Sequence, residues 1–189
     1  MSSLARLDVL AEGYADDRVG SSVVLVRDGD AVVVVDPGMV ASRAAILDPL
    51  SRNGVGPEQV TDVVFSHHHP DHTLNAALFP RARFHDHWAV YQDDVWDSRP
   101  AEGFRLGDST WLLETPGHTV QDITTAVRTD DGLVVCTHLW WTAEGPAEDP
   151  YATDLDVLRA SRERVLALSP VLIVPGHGPA FAPGPSTPV

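Results

Sequence analysis

Apolar runs interrupted by turn residues organise the first half of this chain. Val23 to Arg27 is rich in β-branched residues, Asp28-Gly29-Asp30 has hairpin-turn composition, and Ala31 to Asp36 is almost continuously apolar. Two strands joined by a tight turn are expected, with Pro37-Gly38 ending the second. From Ser42 to Arg52 the period changes, because Ala44, Ala45, Leu47 and Leu50 recur at helical spacing until Asn53-Gly54. Gln59 to Ser66 reads as a buried strand, followed by a short helix from His72 to Leu78.

Beyond Pro80 the pattern predicts short strands at Ala82 to His85, Gly103 to Leu106, Trp111 to Glu114, Thr124 to Arg128 and Leu133 to Thr137. A helix fits Asp154 to Leu168, with Leu155, Leu158, Val165 and Leu168 on one side, and Val171 to Val174 forms a last strand. Residues 1–178 read as a single domain, and Pro179 to Val189, with four prolines, as a mobile tail. The order of β-rich segment, helix and strand occurs twice. Two sheets packed face to face with helices outside are therefore expected, an α+β fold.

Chemistry concentrates where these strands end. Val63-Val64-Phe65 runs into Ser66-His67-His68-His69-Pro70-Asp71-His72, a His-x-His-x-Asp-His spacing. Neutral imidazole nitrogens and carboxylate oxygens are preferred donors for zinc and similar ions, and a catalytic site keeps one coordination position for water. Two further histidines lie in glycine-flanked turns after strands, Pro116-Gly117-His118 and Pro175-Gly176-His177, and His138 follows the strand Leu133 to Thr137.

These residues in this order resemble the metal site of the metallo-β-lactamase superfamily, and Asp36-Pro37-Gly38 is similar to that family's early Asp-x-Gly turn. The resemblance implies a four-layer αβ/βα sandwich. It also implies that His67, His69 and His118 hold one metal ion and that Asp71, His72 and His177 hold a second, with a hydroxide between them as nucleophile. Asp71 and His138 are the candidate catalytic residues. The family places a bridging aspartate where this chain has His138. A carboxylate joins two cations through two oxygens, whereas a neutral imidazole offers one lone pair, so His138 is expected to bind one ion or none and to leave occupancy weak or unequal.

Having His69 rather than glutamate points to zinc, as one or two ions. A single-iron branch similar to persulfide dioxygenases also carries the histidine pattern, and its ion would see His67, His118 and His138. The segments Ser161 to Leu166 and Pro175 to Phe181 look closest to an animal branch of the superfamily regarded as RNA-cleaving. Charge argues against that substrate: the formal net charge is −14, a field that repels phosphate backbones. Arg159, Arg162 and Arg164 are interleaved with acidic residues and read as a solvated helix face.

The remaining features have plainer readings. The single Cys136 cannot form an internal disulfide, and Met1 to Leu10 lacks the apolar core of a secretory signal, so a cytoplasmic protein is expected. The longest apolar run, Ala31 to Val35, is five residues, far short of the roughly 20 needed to span a membrane. His68 points opposite to His67 and His69 in an extended segment and reads as packing or lip. His85 and His87 share a face but lack a third donor, and read as surface or packing residues. Trp140 and Trp141 could wall the site or fill the core, Cys136 fits the core, and Asp36 could orient a ligating histidine or cap a turn. A Trp-rich exposed face would favour a homodimer.

The expected function is metal-dependent hydrolysis of a small-molecule ester, thioester, lactone, amide or phosphoester. The alternatives are an iron persulfide dioxygenase, an RNA-cleaving hydrolase, or a metal-binding protein without catalysis.

Overall fold

A computed structural model describes residues 4–189; Met1 to Ser3, the start of the stretch read for a secretory core, lie outside the described residues. Two large sheets face each other. The first runs, in spatial order, through β1 (Arg6–Ala11), β4 (Val23–Asp28), β5 (Ala31–Val35), β6 (Asp62–Val64), β7 (Arg83–His85), β8 (Ala89–Gln92) and β9 (Val95–Ser98). The second runs β10 (Thr110–Glu114), β11 (Ile123–Thr129), β12 (Gly132–Thr137) and β13 (Leu172–Pro175). A small hairpin, β2 (Tyr14–Ala15) and β3 (Val19–Gly20), stands apart.

Strand alternation sorts side chains into layers. Val24, Val26, Val33, Val35 and Val64 face Leu112, Ile123, Val127, Val134, Cys136 and Val174 between the sheets. Their neighbours in sequence point outward. Val23, Leu25, Val34 and Val63 pack with Ile46 and Leu50 of helix α1 (Ala44–Arg52), while Val135 and Ile173 pack with Leu158 and Val165 of helix α3 (Leu155–Ala167). Strands buried on both faces read as continuous apolar runs, which explains the appearance of β4 and β5 in sequence. The architecture is α+β, with helices outside two stacked sheets.

The expected repetition of halves is present. Helix α1 connects β5 to the parallel strand β6, and α3 connects β12 to the parallel strand β13. These crossovers bring the carboxyl ends of β5, β6, β12 and β13 to one edge of the sandwich, where loops can carry chemistry. Among the described residues, no helix is long and apolar enough to cross a membrane.

Several local expectations change. Strands β1, β2, β3, β8 and β9 were not anticipated, and Gly103 to Leu106 forms only a bridge from Arg105 to Trp111. The helix expected over His72 to Leu78 divides into α2 (Pro70–Thr73) and a 3-10 turn (Ala76–Leu78), because the Asn75 N–H donates to Pro37 O at 2.8 Å instead of continuing the helix. In α3 the buried side is Leu158, Ser161, Arg162 and Val165, leaving Leu155 and Leu168 exposed. Within the tail, Ile173 and Phe181 exchange backbone hydrogen bonds, and Trp140 Nε1 donates to Pro188 O at 2.8 Å.

Arg162 corrects the reading of a solvated arginine face. Its side chain is fully buried and donates to the carbonyls of Leu139, Pro146 and Ala147 at 2.9, 2.6 and 3.1 Å. Arg159 and Arg164 remain exposed, Arg164 paired with Glu102. Removing the donors of Arg162 strands one buried and two part-buried acceptors, a fully buried one costing roughly 1–3 kcal/mol. Arg162→Met should therefore lower unfolding free energy by about 3 kcal/mol, read as a lower urea midpoint with unchanged slope.

Candidate metal centre

Each candidate ligand leaves the end of a strand or the short helix beyond it. His67 and His69 follow β6, Asp71 and His72 occupy α2, His118 follows β10, His138 follows β12, and His177 follows β13. All of the candidate ligands come together at the carboxyl edge, in groups whose donor atoms lie within 4.8 Å of one another: His67, His69 and His118; Asp71, His72 and His177; and His67, His72 and His138.

Finer distances match the size of an ion. His67 Nε2 and His118 Nε2 lie 3.0 and 3.1 Å from His69 Nδ1. Asp71 Oδ2 is 3.4 Å from His72 Nε2 and 3.5 Å from His177 Nε2. Tetrahedral ligands on bonds of 2.0–2.1 Å stand about 3.3 Å apart, so these two pairs in each triad lie within a few tenths of an ångström of zinc spacing, and the third pair lies within 4.8 Å. His72 Nε2 is also buried without a hydrogen-bond partner. The donor set therefore fits a divalent metal.

A second ring of contacts fixes the imidazoles, as is usual around metal-binding histidines. His72 Nδ1 is 2.9 Å from Asp36 Oδ2, His118 Nδ1 is 2.8 Å from Asp149 Oδ2, and His67 Nδ1 is 3.1 Å from Ser66 Oγ. His177 Nδ1 lies 3.1 Å from Gly20 O. Asp36 takes the histidine-orienting role considered for it, and its other oxygen accepts from Ser66 N at 2.7 Å, across to the start of the histidine loop and not within its own turn. Its φ of 50° places a non-glycine residue in the left-handed region, a conformation held by the surrounding contacts. The turn it begins lies directly on α2: a Cβ on Gly38 would sit 1.6 Å from Asp71 O.

His138 stands apart. The ring is buried, with ring centroids 4.2 to 4.8 Å from those of His118, His67, His72 and His177. Its Nδ1 has no hydrogen-bond partner, unlike the outer nitrogens of His67, His72, His118 and His177. Gly176 makes room for it, since a Cβ there would lie 1.8 Å from His138 Nδ1.

Electrostatics favour neutral donors. Burial, then the neighbouring imidazoles, hold His67 and His138 far below the ordinary histidine range. Burial also lowers His69 and His177. Burial opposes charge on His72, but Asp36 and Asp71 outweigh it and raise its pKa to about 9. Burial likewise opposes ionisation of Asp71, yet the neighbouring His72, 3.4 Å away, brings it down to about 2.

Other histidines stay outside. His68, 38% exposed at its side chain, pairs with Asp86 at 3.0 Å. His85 is fully buried against Asp62 at 2.7 Å, so it is an interior residue and not a surface one. Trp140 is fully buried, whereas Trp141 lines a cleft of about 400 Å³ beside the triads, with Ala15, Val19, Tyr151 and the candidate ligands His69, Asp71, His118 and His177. Cys136 sits in the core, where burial pushes its thiol pKa up. Sequence reasoning missed Asp149, Tyr151 and Gly20. Asp149 precedes proline and caps the turn to Tyr151 N at 2.9 Å, a pattern visible in sequence, but nothing local ties it to His118.

A family model of the metallo-beta-lactamase superfamily matches residues 16–133. This chain belongs to the metallo-beta-lactamase superfamily. As a superfamily member it is 35% identical over 187 residues to metallo-beta-lactamase domain-containing protein 1 of Xenopus laevis, covering 92% of this chain and 79% of the relative. The Homo sapiens protein of the same name is 34% identical over 178 residues, covering 86% and 64% respectively. Among solved structures, a quorum-quenching N-acyl homoserine lactone hydrolase aligns with TM-score 0.68 at 20% identity, over 93% of this chain and 92% of that one. A metallo-beta-lactamase family protein of Thermus thermophilus aligns with TM-score 0.69 at 17% identity, over 93% and 74%. Metallo-beta-lactamase folds bind divalent metal, and this chain carries donor groups able to hold it.

In the metal-free protein His72 keeps a proton up to about pH 9. A metal must displace it, so affinity of the Asp71, His72 and His177 site should rise with pH until about 9 and then level off. Calorimetry at pH 8 in buffers of different ionisation enthalpy should detect about one proton released on filling that site. His138→Asp, which restores a two-oxygen donor, should raise metal retained after dialysis, as read by inductively coupled plasma analysis; two full equivalents retained by the unaltered protein would contradict that.

Proposed function

We propose that this protein is a zinc-dependent hydrolase that cleaves a small ester, thioester, lactone, amide or phosphoester. The observation that carries the reading is the pair of donor triads, His67/His69/His118 and Asp71/His72/His177, of which His69, His118, Asp71 and His177 line one open cleft. When bound there, zinc supplies Lewis acidity and lowers the pKa of water toward neutrality.

The chain's own residues do the positioning. Asp36, Asp149 and Gly20 O set the rotation of His72, His118 and His177, so that their remaining nitrogens face inward. Asp71 contributes the one carboxylate of the two triads, on the cleft side. His138, neutral and unpartnered at Nδ1, takes the place of a second carboxylate and leaves the centre one negative charge poorer. The apolar surfaces of Val19, Trp141 and Tyr151 keep water from much of the cleft wall. No serine or cysteine nucleophile is required, and the buried Cys136 is out of reach in the core.

Among the described residues no arginine lines the cleft, which weighs against RNA as substrate. His69→Ala should strip metal from the first triad and abolish turnover across an ester, thioester, lactone and nucleotide panel, with an unchanged circular dichroism spectrum. Full activity in that variant would refute the assignment. Iron with oxygen uptake on a persulfide would replace hydrolysis with dioxygenation, and stoichiometric zinc without turnover would leave a binding protein.

A further inference from the structure

The cleft above the triads has two chemically different ends. Its floor is His69, Asp71, His118 and His177, while Ala15, Asp16, Val19, Trp141 and Tyr151 form walls and mouth. Among the described residues, Asp16, at the tip of the β2–β3 hairpin, is the one charged lining residue that is not a candidate ligand. Its carboxylate accepts from Arg18 N at 3.0 Å, a contact that lowers its pKa and keeps it ionised. The Arg18 guanidinium lies over the Tyr14 ring, 5.5 Å from its centroid, and neither residue lines the cleft. All thirteen basic residues of the chain are arginines, and none of them lines this space.

Two aromatic faces accompany the carboxylate. Trp141 is fixed by Nε1 donating to Asp149 at 2.8 Å, and its ring stacks on Tyr151 with centroids 5.9 Å apart. Tyr151 is 62% exposed despite its size, with its ring against those of His69 and His118. Aromatic faces carry negative potential, and with a carboxylate they complement a quaternary or protonated ammonium group. A phosphate at the same mouth would meet a like charge and apolar rings.

We propose that Asp16, Trp141 and Tyr151 form a recognition site for an ammonium group, so that the preferred substrate is a cationic ester or thioester whose carbonyl lies toward the triads. This rests on the hydrolase reading above. For acetylthiocholine, the oxygen of water bonds to the acyl carbon and the C–S bond breaks. The sulfur takes one proton of the water and leaves as thiocholine, and acetate and the water's second proton are released.

The test compares acetylthiocholine with its uncharged isostere S-(3,3-dimethylbutyl) thioacetate on zinc-loaded protein. Exposed cation–aromatic contacts predict kcat/KM about two- to fivefold higher for the cation, expressed in KM. Asp16→Asn and Tyr151→Leu should each shrink that ratio. A ratio of one or less in the unaltered protein, or one that neither substitution moves, overturns the proposal. Absence of turnover with both thioesters would count against hydrolysis and not against recognition. Calorimetric binding of choline against 3,3-dimethylbutanol then decides: tighter choline binding supports the site, and equal or weaker binding overturns it.

Discussion

Lone pairs gathered in a poorly solvated place repel one another until a cation arrives, and the carboxyl edge of this sandwich is built around that tension. His67, His72 and His138 are almost wholly removed from water, and His72 Nε2 and His138 Nδ1 have no hydrogen-bond partner. Leaving such atoms unsatisfied costs roughly 1–3 kcal/mol each. Metal binding offsets that cost at His72 Nε2, which couples ion affinity to the stability of the folded edge. The arrangement persists because rigid neighbours impose it: Asp36 in its left-handed conformation, Asp149 beneath His118, and the backbone of Gly20 behind His177.

Layer sorting made the fold legible. Alternation in β4, β5, β6 and β12 sends successive residues to opposite faces, and both faces are buried, so the strands appear as apolar runs. Strands β8 and β9 lacked that signature, because β9 is exposed along its whole length and ends the sheet. Arg162 was misread for the converse reason: charge spacing along a helix cannot reveal three carbonyl groups waiting beneath it from a distant loop.

At the site, local spacing and glycine-flanked turns identified the candidate ligands, since adjacent donors on one strand end and one short helix leave a sequence signature. The supporting contacts left less trace. Asp36 is legible as a residue that could orient a histidine, and it does so with one oxygen on His72, while its other oxygen ties down Ser66 N. Asp149 is thirty-one residues from His118, and Asp16 reaches the cleft through a hairpin of two-residue strands that no periodicity announces.

The contact between Gly176 and His138 ties the two positions together. With a Cβ at 176 falling 1.8 Å from the ring nitrogen, the two positions cannot both be large. A side chain at 176 therefore requires a smaller group at 138, whereas glycine at 176 leaves the room that the imidazole occupies.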